Sequence, residues 1–254
     1  MGDRLWLWPN LLSLDAPLVA LLWQTLFIRC FHASSQFLTP ALLVSAVWLI
    51  YAADRTLDAW SGSGLRPRHQ FYRRHWRLVL PVWTAVLGLA CWLAWTGLPR
   101  PVFERGAWIT AAVGVYFVAV HATRRKWPKE AAVAVIFGLG ASVAAWTRVE
   151  TRADVITVIL FSCLCWINCV AIEHWESGRH DFPVALLSAC VGIAAIVILV
   201  RDRPVLGCAE ALSAAAFVLL DRRRVKLSAD ALRVLADAAL LSPIFLLPLA
   251  GSAF

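Results

Sequence analysis

Charge is what this 254-residue chain has least of, at 16% Asp, Glu, Lys and Arg, against about 25% in an average soluble domain. That shortage, with a hydrophobic content of 61% against about 45–50%, excludes an ordinary water-soluble globule and a disordered chain. Glycine follows no three-residue period, so a collagen-like fibre is excluded as well. The seven cysteines fall almost entirely inside apolar runs, which is no setting for a disulfide framework. Cys163, Cys165 and Cys169 also lack the paired C-x-x-C spacing of structural zinc. No H-x-x-x-H or H-E-x-x-H spacing occurs among the histidines, which argues against a metal-histidine site. No linker or low-complexity tract divides the sequence. Nor does a small-residue cleavage pattern follow a short apolar core at the start, so residues 1–15, with Trp6 and Trp8, read as an interfacial segment instead of a removable signal peptide.

What is present is a series of long apolar runs, near 17–31, 37–53, 78–98, 106–120, 130–146, 155–172, 184–200, 204–220 and 231–249. An apolar helix needs about 20 residues to cross roughly 30 Å of hydrocarbon, and lipid offers the backbone no partner, so each run predicts a helix. The runs are continuously apolar instead of alternating, which excludes a β-barrel. The expectation is an all-α, multi-pass membrane protein with nine transmembrane helices in a single domain over 1–254. Lys and Arg concentrate in the loops on the N-terminal side, notably Arg66, Arg68, Arg73, Arg74, Arg124, Arg125, Lys126, Lys129 and Arg222 to Arg224. The positive-inside rule puts that side in the cytoplasm, a pattern that suits a bacterial inner membrane. The net charge of +8 follows from these loops and favours anionic lipid as a partner; no motif or basic domain points to nucleic acid.

Acids at membrane depth are costly, so those at span ends are the functional candidates. Asp54 and Asp58, at the exit of the second run, are four residues apart and therefore share a helix face. Glu173 and Glu176, at the exit of the sixth run, are three apart, and Asp181 follows. Both groups fall on the cytoplasmic side, where they can converge. Magnesium commonly takes one or two protein carboxylates together with phosphate oxygens and waters, so such a cluster suits a diphosphate. Arg124, Lys126 and Lys129 stand nearby as cations able to neutralise phosphate.

With these residues in view, the chain resembles the UbiA superfamily of intramembrane prenyltransferases over nearly its whole length. The segment Tyr51-Ala-Ala-Asp54-Arg55-Thr-Leu-Asp58 matches the last two Asp positions, and the Arg, of a first motif N-D-x-x-D-x-x-x-D, with Ile50 and Tyr51 at the Asn and first Asp. Glu173 answers the second motif, D-x-x-x-D, with Glu176 and Asp181 close by. Residues 116–130 are similar to the basic loop after the fourth span, and Gly138 and Gly140 sit where a Gly-containing fifth helix is common. The resemblance implies a helical fold enclosing a lipid-accessible cavity and Mg²⁺-dependent transfer of a prenyl group from a prenyl diphosphate to an aromatic or other hydrophobic acceptor. It further implies that Asp54, Asp58, Glu173 and Glu176 carry catalysis. Asp54 and Asp58 would hold one Mg²⁺, Glu173 with Glu176 or Asp181 a second, and Arg55, Arg124, Lys126 and Lys129 would bind the diphosphate.

Two other readings stand beside it. Ile50 and Tyr51 fit a non-catalytic relative that binds a prenylated quinone, pigment or other lipid. A transporter would instead place ionisable groups near span centres and break helices at the midplane, with Glu210 and Asp237 as its candidates.

Overall fold

The computed structural model describes residues 12–34, 36–61, 67–122, 129–177 and 182–251. Among the described residues there is no strand. The α-helices are α1 (Asp15–Cys30), α2 (Leu38–Ser61), α3 (Pro67–Gly97), α4 (Arg100–Ala122), α5 (Lys129–Ser142), α6 (Arg152–Ser177), α7 (Val184–Leu199), α8 (Pro204–Arg223), α9 (Ala229–Ala239) and α10 (Pro243–Ala250). Among the described residues, six stretches are long and apolar enough to cross a membrane: Leu38–Trp60, Gln70–Gly97, Arg100–Val120, Arg152–Ser177, Pro204–Lys226 and Ala229–Ala250.

The nine helices of about 20 residues expected from the apolar runs thus become six stretches of spanning length and three shorter helices. Helices α1, α5 and α7 have 16, 14 and 16 residues, which is about 21–24 Å at 1.5 Å per residue, less than the hydrocarbon thickness. Local features stop them. His32, just past α1, has a φ of 52°, a left-handed conformation that ends a helix. In the last turn of α5 the Ser142 hydroxyl donates back to the Gly138 carbonyl at 2.8 Å and accepts the Trp146 indole N–H at 2.8 Å. The chain then tightens into a 3-10 turn at Ala145–Arg148 and extends at Val149. Beyond α7, Pro204 opens α8 at its first position, where its missing N–H costs nothing.

Leu78, Leu89, Trp92 and Trp95 on α3, and Trp108, Val115 and Val118 on α4, are exposed. A soluble monomer rarely leaves so much apolar surface bare, whereas lipid would cover it.

The chain divides into two compact units, the first formed by Met1–Leu21 with Gln36–Pro99 and the second by Leu22–Ser35 with Arg100–Phe254. In the first unit, indole groups tie the elements together through backbone carbonyls. Trp83 donates to Leu49 at 2.9 Å, Trp48 donates to Leu12 at 3.2 Å, and the hydroxyls of Ser13 and Tyr72 lie 2.8 Å apart. Helix α3 departs from helical geometry at His75 and carries Pro81 internally. An apolar cavity of about 370 Å³ opens between these elements, lined in part by Leu12, Trp48, Phe71, Tyr72, Val79 and Val82.

The second unit has an aromatic centre. The Trp23 ring stacks on Phe161 with centroids 4.2 Å apart, and Phe27 meets the same ring edge-on at 5.7 Å. Small residues let its helices approach closely, as expected where lipid removes the hydrophobic advantage of helix association. A Cβ on Gly207 of α8 would stand 3.0 Å from both the Ala195 carbonyl oxygen and Leu199 Cβ of α7, and one on Gly138 of α5 would fall 2.0 Å from Ser162 Oγ of α6 and 3.1 Å from its Cβ. Gly138→Val should therefore destabilise the protein by about 1–3 kcal/mol, the usual cost of overpacking. Thermal unfolding in detergent checks this, and adding Ser162→Gly should restore part of the loss.

The N-terminus of α6 is secured by a reciprocal cap. The Asp154 amide donates to Thr151 Oγ1 at 3.3 Å, while Asp154 Oδ2 accepts the amides of Thr151 and Glu150 at 2.9 and 3.0 Å. The other carboxylate oxygen accepts Arg203 Nε at 2.6 Å, and that guanidinium also stands 5.5 Å from the Phe31 ring centroid.

Candidate functional site

In the first unit, α2 buries one side and leaves its acids on another. Ala52 and Ala59 are fully enclosed, whereas Asp54 and Asp58 are half-buried and one turn apart along the same face. Arg55, which leaves α2 from a different side, is 6% exposed, and its guanidinium lies 3.9 Å from the Asp15 carboxylate. Its charge is thus turned inward. Trp48, which lines the apolar cavity, precedes Asp54 on the same helix by about 9 Å of axial rise. Carboxylates and an apolar recess therefore share one helix in one unit.

The second acidic group behaves differently. Glu173 and Glu176 share a face of α6 by spacing, yet they engage different helices. Glu176 forms an ion pair with Arg233 of α9, with both side chains largely buried. One helical turn along α9, Asp237 accepts a hydrogen bond from Asn168 of α6 at 3.0 Å. These two polar links join α6 to α9. Further along, the Trp175 indole donates to Asp221 at 3.0 Å, and the same carboxylate accepts the Ala185 amide and the Arg224 guanidinium at 3.2 and 2.9 Å. These bonds tie this end of α6 to α7 and α8.

Glu173 stands close enough to Glu130, in the first turn of α5, for the two carboxyl groups to influence each other. Burial pushes the Glu130 carboxyl above its ordinary range and the neighbouring Glu173 carboxyl pushes the same way, against the backbone amide of Glu130 itself and Lys129, which lower it. Sequence reasoning read Glu130 only as the start of a span. No local spacing links it to Glu173, and the one available signal was its place at the end of an apolar run.

The raised Glu130 fixes the sign of a pH effect. A group whose folded-state value lies above its unfolded value stabilises the fold below the ordinary carboxylate range, and that contribution is lost as pH rises through the folded value. Glu130→Gln, neutral at every pH, should therefore raise the melting temperature at pH 7–8 and leave it little changed at pH 4. A divalent cation between the carboxylates would relieve the same repulsion, so Mg²⁺ should stabilise the native protein at pH 7–8 more than the variant.

Among the described residues no group of three or more His, Cys, Asp or Glu side chains is disposed to hold a metal. A magnesium ion that completes its shell with waters and phosphate oxygens does not need three. The half-buried pair Asp54 and Asp58 and the mutually repelling pair Glu130 and Glu173 both have the donor chemistry for that role. Lys129 opens α5 and is exposed. Arg124, Lys126 and Asp181 lie outside the described residues. Compared with protein families, curated proteins and solved structures, the chain finds no match.

Proposed function

We propose that the chain is an intramembrane prenyltransferase that moves a prenyl group from a prenyl diphosphate to an aromatic or other hydrophobic acceptor in a Mg²⁺-dependent reaction. The observation that carries this reading is the arrangement on α2, where a carboxylate pair stands on the same helix as an apolar cavity. A molecule with a long apolar tail and an anionic head needs both features within reach of each other.

The reaction breaks the allylic carbon–oxygen bond, and the electron pair leaves with the diphosphate. The acceptor then supplies electrons to the allylic carbon and loses a proton. Bound Mg²⁺ supplies positive charge to the diphosphate oxygens as that bond breaks. In the first unit Asp54 and Asp58 would hold it. Within the second unit, taken by itself, Glu173 and Glu130 have the donors for a Mg²⁺, since Glu176 is engaged by Arg233, and Lys129, with Arg124 and Lys126, has the charge to neutralise phosphate. Leu12, Trp48, Phe71 and Val79 would surround the tail and exclude water from the allylic cation. The loop-charge pattern supports a site facing the cytoplasm, and six apolar helices support residence in a membrane.

Binding of farnesyl thiolodiphosphate, which resists cleavage, tests the substrate class apart from turnover. Protein in nanodiscs should bind it with Mg²⁺ and lose most of that binding when the metal is chelated. Equal binding with and without Mg²⁺ would contradict the reading.

A further inference from the structure

The deepest part of the second unit contains two polar side chains that the proposed chemistry does not use. Glu210 of α8 is 0% exposed, and neither carboxyl oxygen has a hydrogen-bond partner. Gln24 of α1 is also 0% exposed, with both amide atoms unpartnered. Buried polar groups in native proteins are nearly always satisfied, so two such residues in one unit require an explanation.

Contacts made by the neighbour of each lead to residues 240–242. Next to Gln24, the Trp23 indole donates to the Leu240 carbonyl at 2.8 Å. Two residues further on, the Ser242 hydroxyl donates to the carbonyl of Ala209, the neighbour of Glu210, at 2.7 Å, and lies 2.8 Å from the Ser213 hydroxyl one turn along α8. Residues 240–242 are where the last spanning stretch breaks into α9 and α10, with Pro243 opening α10. Proline has no N–H, so the Ala239 carbonyl loses its ordinary partner there. A buried acid beside a broken helix is the arrangement that membrane proteins use to hold a small cation.

The surroundings select the cation. No salt bridge reaches Glu210 among the described residues. The titratable neighbour it influences is the Cys163 thiol of α6. Of the other elements packed against α8, α7 presents buried Ser188, Gly192 and Ala195, the break before α10 presents Ser242, and α9 carries Arg233 and Asp237. Arg233 is engaged by Glu176 and Asp237 by Asn168, so neither neutralises Glu210. An unpaired carboxylate in such a place is far costlier than its neutral acid. A proton needs one ligand, whereas a metal ion needs a shell of oxygens. We propose that Glu210 is a proton-binding site within the membrane, held as a neutral carboxylic acid because it is fully enclosed and neither of its oxygens has a partner. The proton is taken from bulk water, and no electron moves.

The test is infrared spectroscopy of the full chain in nanodiscs, carried out on a Glu130→Gln background so that Glu130 contributes nothing. At pH 7–8 a protonated-carboxyl C=O band should be present and should shift on exchange into D₂O. Glu210→Gln should remove the band, whereas Glu210→Asp, which keeps a carboxyl, should retain it at a shifted frequency. Since Glu210→Asp changes the side chain by one methylene, it remains informative if Glu210→Gln does not fold. Lack of any such band, or a band that survives in folded Glu210→Gln, would overturn the proton site. A Na⁺-dependent rise in melting temperature that Glu210→Gln removes, with no protonated band, would replace the proton by sodium and overturn the proposal as stated.

Discussion

Asp54→Ala should lower Mg²⁺-dependent release of pyrophosphate from an allylic diphosphate by at least about 100-fold, and Asp58→Ala should do the same. A factor of 100 is about 2.7 kcal/mol of activation free energy, a modest share of the several kcal/mol that a bound metal contributes to transition-state charge. The acids share a face, so loss of either leaves the ion one protein ligand short, and the double variant should be little worse than each single one. Both are half-buried near the end of a spanning helix whose packing side is formed by other residues, such as Ala52 and Ala59. The variants should therefore remain folded in the membrane, with the loss appearing in turnover. Full activity in both variants would remove the first metal site from the account.

The largest effect on stability should come from the opposite end of the second unit's long helix. Asp154→Ala is expected to destabilise the protein by about 3 kcal/mol, the scale of breaking a buried ion pair by removing one partner. Its carboxylate is 0% exposed and satisfies Arg203 together with the amides of Glu150 and Thr151. Deletion leaves Arg203, 22% exposed, without its acid and removes half of the reciprocal cap on α6. Thr151→Ala, which deletes only the other half, should cost about 1 kcal/mol. Chemical unfolding in detergent separates the two. Since α6 spans 26 residues, or about 39 Å, Asp154 lies far from Glu173, so ligand binding by the folded fraction should be unchanged. An Asp154→Ala cost below that of Thr151→Ala would show that the Arg203 pair contributes nothing.

These two sites also show how much the sequence discloses. Hydrophobic runs locate helices well because lipid leaves the backbone no alternative to the helix. Run length measures apolarity and not helix continuity, however, so the stops at His32 and Ser142 are invisible to it. Pro243 was a readable signal of the break that divides the ninth run into α9 and α10. Spacing correctly puts Asp54 and Asp58 on one face, because four residues is a property of a single helix. For Glu173 and Glu176 the same logic gives a shared face but cannot show that Arg233 draws one acid toward α9 while Glu130 stands near the other. Tertiary partners decide what a charged side chain can do. The buried environment of Glu210 likewise depends on helices far apart in sequence.

The measurement that tests the central claim most directly is pyrophosphate release by the intact chain in nanodiscs, supplied with geranyl, farnesyl or geranylgeranyl diphosphate and a membrane lipid extract as acceptor. The account predicts release with at least one of these donors that depends on Mg²⁺, stops on chelation and is lost in Asp54→Ala. Mg²⁺-dependent binding of the same diphosphates without any release would contradict an enzyme and leave a lipid-binding relative; no binding at all would contradict the prenyl-diphosphate site itself.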